Sequence, residues 1–109
     1  MLTMVRFHAE RPEVVAEFRE RFAECDPEGY ASCCEAIARF DLRSRLGEIK
    51  AETLVMYGTE DETISAANAE GIADEIDGAD VMAVEGAKHL VSVELPEAVN
   101  ARLIEFLGR

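Results

Sequence analysis

Apolar residues in the first part of the chain recur at helical spacing. In "PEVVAEFRERFAE" the residues Val14, Val15, Phe18 and Phe22 fall on one face of a helix, and Pro12 suits its first turn. "CDPEGY" interrupts the pattern. Asp26 is placed to cap a second helix with Pro27 at its first position, and "PEGYASCCEAIARF" presents Tyr30, Cys33 or Cys34, Ile37 and Phe40 at helical spacing. "LRSRLGEI" predicts a third, short helix with Asp41 as its cap. Residues 1–10 are mixed and predict no element.

The period changes after residue 50. "ETLVMYG" is a short apolar run with a charged lead-in and a glycine turn, the pattern of a buried parallel strand. "SAANAEGIADEID" predicts a helix with Ala66, Ala69, Ile72, Ala73 and Ile76 as its apolar stripe. "GADVMAVEGA" predicts a turn, a strand of about five residues and another turn. "PEAVNARLIEFLGR" predicts a closing helix with Pro96 in its first turn and Val99, Leu103, Phe106 and Leu107 on its buried face. The second half is therefore strand, helix, strand, helix, which a parallel pair with a helical crossover satisfies. Two strands make a small sheet, and "TLVMY" has the composition of a strand from the interior of a wider one.

Composition narrows the function classes. The chain has 109 residues, 49% hydrophobic and 31% charged, which suits one globular domain or part of one. Its net charge of -12 argues against nucleic acid and anionic membranes, since phosphate binding needs a basic surface. The acidity alone does not specify a cationic partner. Three cysteines, two of them adjacent, make a poor disulfide framework, and no metal-ligand spacing occurs. No signal-peptide segment or transmembrane run is present, so the expected location is the cytoplasm, with reduced thiols.

Ligands of parallel sheets gather beyond the carboxyl ends of the strands. Asp61 follows the first predicted strand and His89 the second. The strands are predicted neighbours, so the two loops can meet across a gap of 28 positions. An aspartate accepting a hydrogen bond from a histidine fixes the imidazole tautomer, and the histidine then acts as general base toward a hydroxyl. A plainer reading exists for each residue. Asp after Gly in such a loop is a common turn former or cap, and a histidine near a strand end is commonly structural. The ordered pair, each just past its own strand, favours the chemical reading.

These segments resemble a known superfamily. "LVMYGTEDETIS" looks like the acid loop of α/β-hydrolases, and "VEGAKHLVSVELPEAVNARLIEFL" looks like their histidine loop and last helix. "DPEGYASCCEAI", followed by "DLRSRLGEIKAETLVMYG", resembles the cap segment of 3-oxoadipate enol-lactonases, and the similarity runs from about Phe7 to the end of the chain. Those enzymes hydrolyse the enol-lactone of the β-ketoadipate route of aromatic catabolism. Related caps also occur in other small hydrolases and haloperoxidase-like proteins. The resemblance implies an α/β class chain with a partial α/β-hydrolase fold: a helical cap segment over residues 1–50 and the C-terminal part of the core over residues 51–109. It implies Asp61 and His89 as the acid and base of a Ser-His-Asp triad, no metal or organic cofactor, and a small-molecule lactone or ester as the substrate of the complete enzyme.

One departure stands out. The family's serine lies in G-x-S-x-G at a strand-to-helix elbow, and none of Ser32, Ser44, Ser65 and Ser92 has that setting. "GYASCC" lacks the second glycine and a preceding strand. Cys33 and Cys34 lie within a predicted helix, where they read as small buried or pocket-lining residues rather than as activated thiolates. Tyr30 and Phe40 read as core, Glu20, Glu70 and Glu75 as solvated helix faces, and Lys88 as exposed. The chain is thus expected to resemble the C-terminal half of a hydrolase, with the nucleophile elsewhere and either self-association or a complementing N-terminal half covering the sheet. The rival expectation is a non-catalytic hydrolase remnant acting as an interaction module or dimer.

Overall fold

The computed structural model describes residues 7–108. Residues 7–10 are helical, and the rest of the segment without a predicted element lies outside the described residues. Helix α1 spans Pro12–Ala23 with Pro12 in its first turn. Helix α2 spans Pro27–Ala38, and the Asp26 carboxylate accepts the Gly29 N–H at 2.7 Å, so the cap forms as expected. The next segment, Arg43–Glu48, is a 3-10 helix. Its cap position is Leu42 rather than Asp41, yet Asp41 Oδ1 accepts the Arg43 N–H at 3.0 Å and supplies the missing acceptor one residue earlier.

Strands β1 (Leu54–Gly58) and β2 (Asp80–Val84) pair in parallel, with Leu54 opposite Asp80 and Gly58 opposite Val84. Between them runs α3 (Ala66–Asp74), capped by Ser65, whose Oγ accepts the Asn68 N–H at 3.3 Å. Helix α4 (Val91–Glu94) is a single turn that the apolar pattern does not announce, and α5 (Pro96–Leu107) closes the chain. Among the described residues each strand has one hydrogen-bonded neighbour.

The alternation of side chains along β1 divides the core into two layers. On one face Met56 and Met82 pack with Val84, Ala87 and Val99, joined by Val91 and Leu103 from α4 and α5. Complete burial of a side chain the size of Val84 contributes on the order of 1.5 kcal/mol. On the other face α3 buries Ala69 and Ala73, while Ile76 is buried just beyond its end. Tyr57 is buried there too, with its hydroxyl donating to Glu70 Oε1 at 2.6 Å. Glu70 is thus an anchor for the strand and not only a solvated side chain. Arg102 of α5 pairs with Asp80 at 2.8 Å and ties the last helix to the start of β2.

Several expected core positions stay open. Leu107 is 76% exposed, because Val99 and Leu103 already meet the sheet and the last turn lies beyond that contact. Ile72, Tyr30 and Phe40 are also exposed. Tyr30 packs edge-on against Phe22 with ring centroids 5.5 Å apart, which joins α1 to α2 without enclosing either ring. Cys33 and Cys34 are free and exposed on α2, not buried. No helix among the described residues is long and apolar enough to cross a membrane.

Candidate active site

The backbone brings the two loops together before any side chain does. Beyond the strand ends, Thr59 N–H donates to Val84 O at 3.1 Å, Glu60 N–H donates to Ala87 O at 2.9 Å, and Thr59 Oγ1 accepts the Gly86 N–H at 2.9 Å. Gly86 turns the chain after β2 with φ 74°, which favours glycine. At Gly58 the approach is so close that an added Cβ would overlap the carbonyl oxygens of Ala87 and Lys88.

Asp61 lies at the head of this junction. Its Oδ1 accepts the Thr63 N–H at 2.7 Å and the Ile64 N–H at 3.1 Å, the turn-forming role open to any loop aspartate. Its Oδ2 lies 2.8 Å from His89 Nδ1. One oxygen thus makes the turn contacts and the other the histidine contact. The Asp61 side chain is 6% exposed and the His89 ring 55% exposed. Burial pushes the Asp61 carboxyl upward, but the His89 hydrogen bond and the amides of Ile64 and Thr63 outweigh it and hold it below the usual carboxylate range.

A carboxylate can only accept, so this contact assigns a proton to His89 Nδ1. In the neutral ring, Nε2 is then the acceptor. Among the described residues Nε2 has no hydrogen-bond partner. The ring lines a groove of about 600 Å³. Val15, Phe18 and Phe22 of α1 form one wall, and Leu90, Val93 and the Asp61 loop form the other. The apolar stripe read from "PEVVAEFRERFAE" therefore faces a groove instead of a closed core.

Charged groups in the groove are mostly engaged. Lys88, expected to be exposed, has a side chain only 13% exposed and pairs with Glu62 at 3.3 Å. Glu94 accepts two backbone amides, from Lys88 at 3.0 Å and Leu90 at 3.1 Å. Arg19 has no acidic partner among the described residues. Glu94 and Arg19 carry no motif in the sequence; only the placement of α4 and α1 beside the histidine loop brings them in. No serine or cysteine lines the groove among the described residues, and no group of three His, Cys, Asp or Glu residues there could hold a metal ion.

Solved structures share this arrangement of elements. The crystal structure of the enol-lactonase from Burkholderia xenovorans superposes with a TM-score of 0.91 at 35% identity, covering 95% of this chain and 40% of that one. A hydrolase from Pseudomonas aeruginosa gives 0.85 at 36% identity, covering 94% and 38%. The chain has a partial α/β-hydrolase fold. An N-acyl homoserine lactone degrading enzyme gives a TM-score of 0.79 at 30% identity, with 93% of this chain and 41% of that one covered. Among curated proteins, this α/β-hydrolase segment is 35% identical over 94 residues to 3-oxoadipate enol-lactonase 2 of Acinetobacter baylyi, which is 86% of this chain and 35% of that protein. It is 31% identical over 78 residues to 3-oxoadipate enol-lactonase 1 of the same organism, covering 72% and 29%. The chain spans about a third of the length of the curated relatives it matches. No family model matches it.

Proposed function

We propose that this chain supplies the acid and base of a serine hydrolase that opens an enol-lactone, with the nucleophile contributed by residues outside these 109, on the same or another polypeptide. The observation that carries this reading is the 2.8 Å contact between Asp61 Oδ2 and His89 Nδ1, with Asp61 Oδ1 already held by two amides. In that reaction His89 Nε2 takes the proton of the serine hydroxyl as its oxygen attacks the lactone carbonyl. The carbonyl-to-ring-oxygen bond breaks, and His89 returns the proton to the departing enolate oxygen. Water then attacks the acyl-serine with His89 again as base, which releases the acid and restores the serine. Asp61 keeps the proton on Nδ1 throughout and stabilises the transient imidazolium.

The substrate class comes from the relatives' names, and Arg19 is consistent with it. A lactone of 3-oxoadipate retains one free carboxylate, and Arg19 is a groove cation without an acidic partner among the described residues. A guanidinium is the side chain best shaped to take a carboxylate.

The test is a chimera in which this chain replaces the matching segment of the Acinetobacter baylyi 3-oxoadipate enol-lactonase 2. Hydrolysis of 3-oxoadipate enol-lactone is expected, falling by about 10³-fold with His89→Ala. Equal rates with and without His89 would overturn the proposal. The chain alone is expected to give no turnover above background. Turnover by the chain alone that His89→Ala abolishes would place the nucleophile within the 109 residues.

A second reading draws on the outer surface. Ile37, Phe40, Ile104 and Leu107 are each at least 70% exposed, as suits a non-catalytic module that docks through apolar contacts. A neighbouring gene encoding G-x-S-x-G favours the enzyme reading, and a stable chain with no such neighbour favours the module.

A further inference from the structure

The His89 ring can meet Asp61 only if the backbone that carries it is held still. Residues 88–90 lie between the end of β2 and α4 and belong to neither, so no regular ladder fixes them. From the strand side the loop is held through Ala87, whose carbonyl accepts the Glu60 N–H. On the far side stands Glu94. Its Oε2 accepts the Lys88 N–H at 3.0 Å and its Oε1 accepts the Leu90 N–H at 3.1 Å. The two donors are the residues immediately before and after His89. The Glu94 N–H in turn donates to Leu90 O at 2.9 Å.

We infer that Glu94 is a positioning residue for His89: by accepting both amides that bracket the histidine, its carboxylate sets the direction from which the imidazole meets Asp61. The inference rests on the acid–base reading of Asp61 and His89 given above. The chemistry calls for a carboxylate. Both oxygens act as acceptors toward neutral N–H groups, and only an ionised acid offers two acceptors and no donor. No cation pairs with Glu94 among the described residues, and the Lys88 ammonium turns instead to Glu62. A brace for the first turn of α4 would need the Leu90 bond alone. The Lys88 bond reaches back across His89, and its effect falls on the loop and not on the helix.

Glu94→Gln separates this role from a purely structural one. The amide keeps one acceptor but sets an NH₂ group against the second N–H, so one of the two bonds is lost with little change in volume. Two quantities are read on the intact chain by NMR. The first is amide hydrogen exchange at Lys88 and Leu90, with Val55 and Met82, whose N–H groups face the neighbouring strand, as internal references. The second is the His89 tautomer, from long-range proton–nitrogen correlation of the neutral ring. Wild type is expected to hold the proton on Nδ1. In Glu94→Gln, exchange at Lys88 or Leu90 is expected to rise by about tenfold, the equivalent of one hydrogen bond. The single Nδ1–H tautomer is expected to give way to a mixture while the sheet amides stay protected. Glu94→Ala is expected to change both readouts further, and Glu97→Gln on the exposed side of α5 is expected to change neither.

Retention of the wild-type tautomer in Glu94→Gln would overturn the proposal, whatever happens to the exchange rates. Loss of sheet protection along with the tautomer in Glu94→Gln would also overturn it, since the carboxylate would then be a general stabiliser. A wild-type ring without the Nδ1–H tautomer would instead remove the acid–base reading itself, and the proposal with it.

Discussion

The carbonyl oxygen of Lys88 occupies the space in which a side chain on Gly58 would begin. The end of the first strand and the loop carrying His89 are thus in backbone contact, and no residue larger than glycine fits between them. Gly58→Ala is expected to destabilise the chain by about 3 kcal/mol, because backbone and not a flexible side chain must move. Urea unfolding measures the loss. The same variant is expected to weaken the Asp61–His89 contact, which the histidine tautomer reports.

Asp61 links this site to acid stability. Its folded carboxyl titrates below its unfolded value, so the unfolded chain takes up the proton first as the pH falls. The stabilisation is therefore complete above about pH 4, the ordinary aspartate range, and is lost as the pH drops through the folded value. The urea midpoint of wild type is expected to fall below pH 4 more steeply than that of Asp61→Asn. Parallel curves for the two proteins would contradict the assignment.

Arg19 should act on binding and not on the chemical step. In the enol-lactonase chimera, Arg19→Gln is expected to raise KM for the carboxylated lactone by about tenfold, the value of one exposed charge-assisted hydrogen bond, with kcat little changed. A neutral ester should not register the substitution. An equal effect on both substrates would remove Arg19 from substrate recognition.

The outer apolar residues predict the behaviour of the purified chain. Ile37, Phe40, Ile104 and Leu107 are exposed, and Val81 is 43% exposed on β2. Each strand has one neighbour among the described residues. Concentration-dependent association or binding of an apolar dye is expected. A monodisperse chain that leaves the dye silent would count against an open sheet and apolar surface.

How much of this was legible in the sequence depends on whether the cause was local. Helices α2 and α3 were, because Asp26 caps the first from an adjacent position and a local apolar stripe marks the second. The meeting of Asp61 with His89 was legible at longer range, since parallel neighbours place their carboxyl ends on the same side. Leu107 was misjudged because periodicity defines a stripe but not how far the facing layer extends. Lys88 was misjudged because its partner, Glu62, lies on the other loop, 26 positions (88 − 62) away. Glu94 escaped notice because its role depends on one turn of helix folding its carboxylate back onto the chain that precedes it.

The bonds from Thr59 and Glu60 to Val84 and Ala87 carry the strand pairing past the ends of both strands and into the two loops. Asp61 and His89 are therefore mounted on one extended ladder. A bending of the sheet would carry both groups in the same direction and leave their separation nearly constant. What such a motion would alter is the gap between the pair and α1, so the groove can change width while the hydrogen bond at its base stays in register.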